Sequence, residues 1–299
     1  MDLLQLRYFR VVARAEHMTK AAEELFIAQP SLSKTIRRLE KEVGVPLFDR
    51  QGRTIRLNQF GTAFLEHIER LFRELEEGQR KVQDMAGLEQ GEISLVAASF
   101  YWLPDLLHRF QLAHPSVHVH LSQCRLAEMP QQLERGACDF CFLSVPLSKP
   151  SIRWRPLLND EIFLVVPPGH RLAASPTIPL HEVAHEAVVI EKVGLGFREL
   201  IDQFCQQAGF ALRIVYEVDD PAVLFEFVKA HLGIAFAPAL VKRQVNAQNL
   251  KTLHLTNPTC RRTFGIAWHQ EHYLSEAART FRQFVIEYFT HLEQEVSVS

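Results

Sequence analysis

Amide, hydroxyl and cationic side chains are concentrated in one short segment near the amino terminus. They are Gln29, Ser31, Ser33, Lys34, Arg37 and Arg38. Gln and Arg side chains can hydrogen-bond to the edges of bases, and Lys, Arg and Ser can bind phosphate oxygens. The same residue types are also common on an ordinary solvated helix face. The elements that carry the segment decide between these two interpretations.

The segment lies on a predicted amphipathic helix. Leu32, Ile36 and Leu39 are spaced i, i+4 and i+7, which places them on one buried face and turns the polar cluster outward. Pro30 is suited to the first helical position, because its missing N–H has no intrahelical partner there. Gly44 is expected to end the helix at the C′ position.

Two shorter segments before it also predict helices. Residues 3–15 have an amphipathic pattern, and Thr19 offers a capping oxygen before a second helix over residues 20–25. Short helices joined by a tight turn predict a helix-turn-helix, whose second helix can enter the major groove of DNA.

The region that follows adds a basic hairpin to a basic head. Residues 49–57 predict a β-hairpin wing with Gly52 at its tip, from which Arg50 and Arg53 can reach phosphates.

The whole chain has 33 Lys and Arg residues against 35 Asp and Glu residues, a formal net charge of −2. Residues 1–58 hold 11 basic and 7 acidic residues, which leaves 22 and 28 for the remainder. A head of net charge +4 on a body of −6 indicates a polyanion-binding head.

Several motifs follow one another over the first sixty residues. They are LRYF (6–9), TKAAEEL (19–25), QPSLS (29–33), IRRLE (36–40), GVPLF (44–48), Arg50 and Leu57. As a set they resemble the LysR-type family of bacterial transcriptional regulators. The family usually has Thr where this chain has Asn58, and Asn is an equally good helix cap. The resemblance implies a winged helix-turn-helix that binds promoter DNA as part of a homo-oligomer, either a dimer or a tetramer.

The resemblance also implies which positions bind DNA. By motif they are Thr19, Lys20, Gln29, Pro30, Ser31, Ser33, Lys34, Arg37, Arg38, Arg50 and Arg53. Gln29 can pair with adenine edges and Arg37 with guanine or phosphate, whereas Arg50 and Arg53 would position the head without reading sequence. RNA polymerase is left open as a further partner.

A long connecting helix is predicted over residues 59–87. Its apolar positions follow in alternating steps of four and three residues: Phe64, Ile68, Leu71, Leu75, Gly78, Val82 and Met85. This heptad seam predicts a dimerising helix, with Gly78 as a local weakness, and residues 87–91 are expected to end it. The alternative is an amphipathic helix that lies on its own domain. Paired heads could read two half-sites about one helical turn apart or a multiple of it.

From residue 88 onward, short apolar strands alternate with helices, which predicts parallel α/β sheets covered on both faces. The predicted strands are 93–98, 117–122, 140–143, 187–190, 213–218 and 234–237, and the helices are 103–113, 128–135, 197–208 and 221–230. Strands 162–166 and 264–268 are expected to cross between lobe I (92–161 and 268–299) and lobe II (162–267). A helix over residues 275–292 is expected to pack on lobe I. The pattern resembles the two-lobed α/β effector-binding domain of the same family, which is similar to periplasmic binding proteins.

Ligands of open α/β sheets bind beyond the carboxyl ends of the strands. That rule selects the candidate effector-binding residues Ser99, Phe100, Cys124, Arg125, Ser144, Val145, Glu191, Lys192, Val193, Phe197 and Arg198. Arg125, Lys192 and Arg198 near one cleft would favour a small carboxylate effector. The alternative is that each of the three is an ordinary exposed cation on the surface.

Other classes of function lack their sequence signals. The five scattered cysteines predict free thiols rather than a disulfide framework. The histidines do not predict a metal site: His118 and His120 share a strand face, but Cys138 and Cys141 are expected on opposite faces. No GxSxG, phosphate-loop or dinucleotide motif is present, so no enzyme activity and no cofactor are expected.

One alternative function comes from the carboxy-terminal region. Residues 92–299 alone would fit a solute-binding protein of a transporter. The lack of an export signal and the basic head oppose it, and the expected location is the cytoplasm. A transporter component should bind ligand without affinity for DNA, whereas a regulator should show strongly salt-dependent DNA binding.

Overall fold

The computed structural model describes residues 1–51, 54–86, 91–147 and 149–298. The chain divides into two compact units, Met1–Val82 and Gln83–Ser299. The first unit, called the head below, contains α1 (Leu3–Ala15), α2 (Met18–Glu24), α3 (Gln29–Val43), β1 (Phe48–Gln51) and β2 (Thr54–Leu57), followed by α4 (Gln59–Met85). Strands β1 and β2 are antiparallel, with Phe48 opposite Leu57.

The helices of the head follow the sequence pattern, with corrections at the starts of α2 and α3. Helix α2 begins earlier than predicted, and its cap is His17, whose Nδ1 accepts a hydrogen bond from the Lys20 backbone at 3.4 Å. The predicted cap, Thr19, lies inside the helix, since the capping side chain three residues before Lys20 belongs to His17. Helix α3 begins at Gln29, so Pro30 is its second residue, and it ends as predicted at Gly44, where φ is 91°.

A small apolar core holds the head together. Leu32, Ile36 and Leu39 are fully buried, as their spacing predicts, and they pack with Phe9 and Leu47. Burial of such side chains stabilises a fold by about 1.5–3 kcal/mol each. This core fixes the outward face of α3.

The connection from the wing to α4 is also fixed by local contacts. The Asn58 side chain caps α4 by accepting a hydrogen bond from the Gly61 backbone at 2.9 Å, as expected for a helix cap. It also donates to the Pro46 carbonyl at 2.9 Å. The predicted wing tip, Gly52 with Arg53, lies outside the described residues.

The second unit, called the body below, alternates strands and helices. Its elements are β3 (Glu92–Ala97), α5 (Pro104–Ala113), β4 (His118–Gln123), α6 (Met129–Glu134), β5 (Phe140–Leu143), β6 (Ile152–Val166), β7 (Thr177–Pro179), β8 (Ala187–Glu191), α7 (Phe197–Gln207), β9 (Arg213–Val218), α8 (Leu224–Lys229), β10 (Ala235–Pro238), α9 (Lys242–Ala247), β11 (Lys251–Thr256), β12 (Arg261–His269) and α10 (Glu276–Val298). The prediction missed β7, β11 and α9, and it found only a portion of β6 and β12.

Two long antiparallel strands connect the halves of the body. The main sheet has the order β4-β3-β5-β12-β6-β11-β7, with β10 also paired to β6. Strand β3 is parallel to β4 and β5, as predicted, and β8 is parallel to β9. Because β6 pairs with β12, β10 and β11, it passes through both halves. Helix α10 packs beside β3, and its residues Phe281 and Phe289 share a core with Leu95 of that strand.

The cysteines require a correction. Cys138 and Cys141 are not directed to opposite faces, because their sulfur atoms lie 3.6 Å apart in a buried cluster. Strand β5 begins only at Phe140, so strand alternation does not apply to Cys138.

Within the described ranges, no group of three or more His, Cys, Asp or Glu side chains is arranged to hold a metal ion. None of the helices in those ranges has the length and apolarity that crossing a membrane requires.

Candidate nucleic-acid interface and ligand cavity

The predicted DNA-binding residues of the helix-turn-helix lie on one accessible face of the head. Thr19, Lys20, Gln29, Pro30, Ser31, Lys34, Arg37 and Arg38 are exposed, and Ser33 is half-buried. They come from the start of α2 and from the side of α3 opposite its buried residues. The other two predicted positions, Arg53 and the side chain of Arg50, lie outside the described region of the chain.

The charges on this face are not equivalent. Arg38 donates to the Glu42 carboxylate at 3.0 Å. The amino-terminal ammonium and Arg38 both stabilise the ionised form of Glu42 and lower its pKa to about 2. Lys34 and Arg37 form no ion pair with any described residue. Among the predicted DNA-binding cations of α3, Lys34 and Arg37 are therefore the two that are available to a polyanion.

Glu40 positions the wing relative to α3. Its carboxylate accepts hydrogen bonds from the backbone N–H groups of Leu47 and Phe48 at 2.9 and 3.3 Å. These bonds attach the start of β1 to α3. The sequence did not predict this role, because a helical glutamate seven residues before its nearest partner carries no local signal of the contact.

The body contains a small cavity of about 50 Å³ where its two halves meet. It is lined by Ala97, Ala98, Ser99, Tyr101, Trp102, Leu126, Met129, Phe142, Leu143, Ser144, Glu191, Leu195, Phe197, Arg262 and Phe264. Of the predicted effector-binding residues, Ser99, Ser144, Glu191 and Phe197 are among them. The Leu126 backbone donates to the Gly194 carbonyl at 3.0 Å, which links the two sides beside the cavity.

The remaining predicted residues do not line the cavity. Phe100 packs on the core that contains α10, and Cys124 and Val145 pack on the cluster around Cys138. Arg125 and Val193 are exposed.

The three cations that suggested a carboxylate are not brought together at the cavity. Lys192 lies 2.7 Å from the Asp219 carboxylate. Arg198 is bound by Asp202 at 2.8 Å and by Glu217 at 2.9 Å. Two of the three positive charges are therefore neutralised by neighbours outside the cavity.

A different cation, Arg262, lines the cavity. Its Nε and Nη2 donate to Oδ2 of the buried Asp160, both at 3.2 Å, and its Nη1 donates to the Ser144 hydroxyl at 3.2 Å. Its guanidinium also lies 5.4 Å from the ring centroids of Phe197 and Phe264. Arg262 and Asp160 are direct cross-strand partners in β12 and β6.

Sequence reasoning missed this ion pair for a simple reason. Arg262 lies next to the amino end of β12 and Asp160 lies inside β6, so neither follows the carboxyl end of a strand, and they are 102 residues apart in the chain. Only the register of β12 on β6 brings them together.

The end of β8 carries a buried carboxyl group. Glu191 is only 4% exposed, and burial raises its pKa from the usual 4.5 to about 7. Arg262 opposes this rise and Glu199 adds to it. No described residue hydrogen-bonds to the Glu191 carboxyl. The cavity therefore offers an unpartnered acidic group beside an arginine whose charge is already balanced by Asp160.

The family comparisons agree with this architecture. Residues 3–62 match the family described as bacterial regulatory helix-turn-helix protein, lysR family. Residues 86–290 match the LysR substrate binding domain. The two matches correspond to the head and to most of the body.

Individual proteins are similar over nearly the whole chain. The uncharacterized HTH-type transcriptional regulator YybE of Bacillus subtilis is 36% identical, with coverage of 97% of this chain and 100% of that protein. The RuBisCO operon transcriptional regulator of Allochromatium vinosum is 27% identical, with coverage of 96% of each. The crystal structure of CbnR, a LysR family transcriptional regulator also solved in complex with its target DNA, has a TM-score of 0.70 at 22% identity, with coverage of 96% of this chain and 99% of CbnR. These relatives are regulators rather than enzymes, and the chain belongs to the LysR family of bacterial transcriptional regulators.

Proposed function

We propose that the protein controls transcription by binding promoter DNA through the exposed face of α3 and by responding to a small molecule in the cavity of the body. The observation that carries the DNA-binding role is the outward face of α3, where Gln29, Lys34 and Arg37 are exposed on a helix whose opposite side is fully buried. A rigid helix with such a face can enter a major groove. The cytoplasm is the expected location for this activity.

Within this proposal, the residues of the face have distinct tasks. Gln29 stands at the start of α3 and would contact base edges, so it contributes to sequence preference. Lys34 and Arg37, whose charges no described residue neutralises, would bind phosphates or guanine. Arg38 contributes less, because Glu42 engages its guanidinium. Arg50 and Arg53 remain proposed phosphate contacts of the wing.

Self-association through α4 would pair the heads. Leu71, Leu75, Val82 and Met85 of the predicted seam are exposed, whereas Ile68 packs into the core of the head. The distal half of the seam is thus available to a second copy, in a dimer or a tetramer. In the predicted division, residues 1–58 bind DNA, residues 59–87 dimerise, and residues 88–299 bind the effector between two lobes.

The effector would act by favouring one conformation of the body over another. A ligand can shift such an equilibrium only by its difference in affinity for the two states. The cavity lies where the halves meet and is lined from both, by Ser99 and Ser144 on one side and Glu191 and Phe197 on the other. A ligand there contacts both halves and stabilises their closed arrangement.

The experiment is a DNA-binding titration of the full-length protein against its own promoter region and a scrambled duplex. We expect tight, salt-dependent binding with preference for the promoter, since phosphate contacts release counterions. Gln29→Ala should reduce the preference while binding to scrambled DNA persists. Gln206→Ala, the same change on an exposed position of the body, serves as the control. Equal loss on both duplexes would contradict the role of Gln29, and no DNA affinity would favour the solute-binding alternative.

A further inference from the structure

We propose that the small molecule recognised by the cavity carries a protonated amine, which binds the carboxylate of Glu191. This inference rests on the proposed function, because it names the chemical class of the ligand for the same cavity. It differs from the carboxylate that the sequence suggested. Three features of the cavity lead to it: the unpartnered carboxyl group, the balanced arginine and the aromatic walls.

The first feature is the carboxyl group of Glu191. It lines the cavity, is 4% exposed and receives no hydrogen bond from any described residue. An ionised carboxylate buried without a partner is strongly disfavoured. An ammonium group supplies both the opposite charge and three hydrogen-bond donors. Hydrogen bonds between two charged groups are shorter and stronger than neutral ones.

The second feature is that the carboxylate of Asp160 already neutralises the positive charge of Arg262. Two of its nitrogen atoms donate to Asp160, and a third donates to Ser144. The other oxygen of Asp160 accepts from the Leu240 backbone at 3.2 Å, so the pair is held in place from both strands. With Arg262 and Asp160 in balance, Glu191 leaves the cavity with an excess of negative charge. A ligand carboxylate would add to that excess.

The third feature is the aromatic lining. Trp102 packs edge-on against Phe142 and Phe264, with ring centroids 5.0 and 4.8 Å away, and all three rings line the cavity. Aromatic faces attract cations and provide an apolar surface for the carbon atoms of an amine. The guanidinium of Arg262 already lies near Phe197 and Phe264 in this way.

The charged groups around Glu191 define how binding depends on pH. Arg262 faces it from β12 and favours its ionised form, whereas Glu199 acts from α7 in the opposite sense. Arg262 also acts electrostatically on Tyr101 and Asp160, and burial raises the pKa of both groups. An amine binds the ionised form of Glu191, so its affinity should rise with pH through about 7 and its binding should release a proton. An anion would show the opposite dependence.

Three probes of one size and different charge test the inference on the full-length protein. They are n-propylammonium, 1-propanol and propionate, and their binding can be measured by ligand-observed NMR with calorimetry. We expect propylammonium to bind at least about tenfold more tightly than propionate, and Glu191→Gln to remove that advantage. Glu226→Gln makes the same change at an exposed position of α8 and should leave the affinity unaltered.

The outcomes distinguish a wrong ligand class from a wrong effector site. Ser99→Leu fills the cavity at a half-buried position and should abolish binding of any probe that occupies it. If propionate or propanol binds best and Ser99→Leu abolishes that binding, the amine is wrong while the cavity remains the ligand site. Unchanged binding of propylammonium to Glu191→Gln also refutes the amine. If no probe distinguishes the wild type from Ser99→Leu, both the ligand class and the cavity as effector site are overturned.

Discussion

Replacement of Glu191 by glutamine should make the body more stable at neutral and alkaline pH. Glutamine has nearly the shape of a protonated glutamate but cannot ionise. In the wild type, the folded state must ionise a buried carboxyl whose pKa is about 7, against 4.5 for an unperturbed glutamate. The variant removes this requirement and leaves the packing of the cavity almost unaltered.

The size of the effect follows from the difference in pKa. A difference of one unit between the pKa of the group in the folded state and its pKa in the unfolded state is equivalent to about 1.4 kcal/mol. Raising the pKa of Glu191 from 4.5 to about 7 therefore costs the folded state on the order of 3 kcal/mol when both states are ionised. Below about pH 4.5 both states are protonated and the cost vanishes. Between the two pKa values only the unfolded state is ionised, so stability falls as the pH rises.

Tryptophan fluorescence provides a selective assay. The protein has three tryptophans, Trp102, Trp154 and Trp268, and all lie in the body. Urea unfolding followed by their emission therefore reports on that unit. Glu191→Gln should match the wild type near pH 4.5 and exceed it by about 3 kcal/mol near pH 8.

Two results would refute the reasoning. A stability difference that does not change with pH would show that Glu191 is not desolvated in the folded state. A variant that loses stability at pH 8 would show that the ionised carboxylate has a partner. Glu226→Gln, exposed on α8, is the control and should leave the pH profile unaltered.

Three further substitutions test other regions of the structure. Gly61→Ala should destabilise the head by about 1–3 kcal/mol, because the added carbon would overlap the Leu47 carbonyl; thermal unfolding of the head monitored by circular dichroism measures this. An unchanged melting temperature would contradict the close approach. Glu40→Ala should also cost about 1–3 kcal/mol by leaving the Leu47 N–H without its acceptor, and hydrogen exchange at that amide should accelerate. Leu75→Asp, on the exposed stretch of the α4 seam, should shift the protein towards monomer in sedimentation velocity, whereas an unchanged oligomer would assign self-association to another surface.

Local pattern was sufficient to predict most of the head. The spacing of Leu32, Ile36 and Leu39 fixes the orientation of α3, and Gly44 ends it, because these effects act within one or two helical turns. The cap of α2 was wrong because a histidine ring nitrogen can replace the usual hydroxyl or carboxylate oxygen. The resemblance of the motifs then added what the helix pattern alone leaves open, namely that the outward face meets DNA.

The lining of the cavity was only partly predictable. Ser99 and Ser144 follow strands, Glu191 ends β8 and Phe197 begins the next helix, as the strand-end rule selects, and all four line the cavity. The rule did not select Arg262, because this residue lies next to the amino end of β12 and is placed at the cavity by the register of β12 on β6.

Charge neutralisation was equally invisible in the sequence. Arg198 is separated from Glu217 by 19 positions, and Lys192 from Asp219 by 27. Only the folded chain shows that these cations are already paired. Contacts of this kind depend on tertiary structure, which no periodicity within a helix or strand encodes.

The most direct test of the central claim is the salt dependence of promoter binding by the full-length protein and by Lys34→Ala. If the exposed face of α3 contacts the DNA backbone, the logarithm of the binding constant should fall steeply with the logarithm of salt concentration, and loss of one phosphate contact should reduce that slope by about 0.9. Lys149→Ala, which removes a cation from the body, should reproduce the wild-type slope. A Lys34→Ala protein with the same affinity and slope as this control would contradict the account.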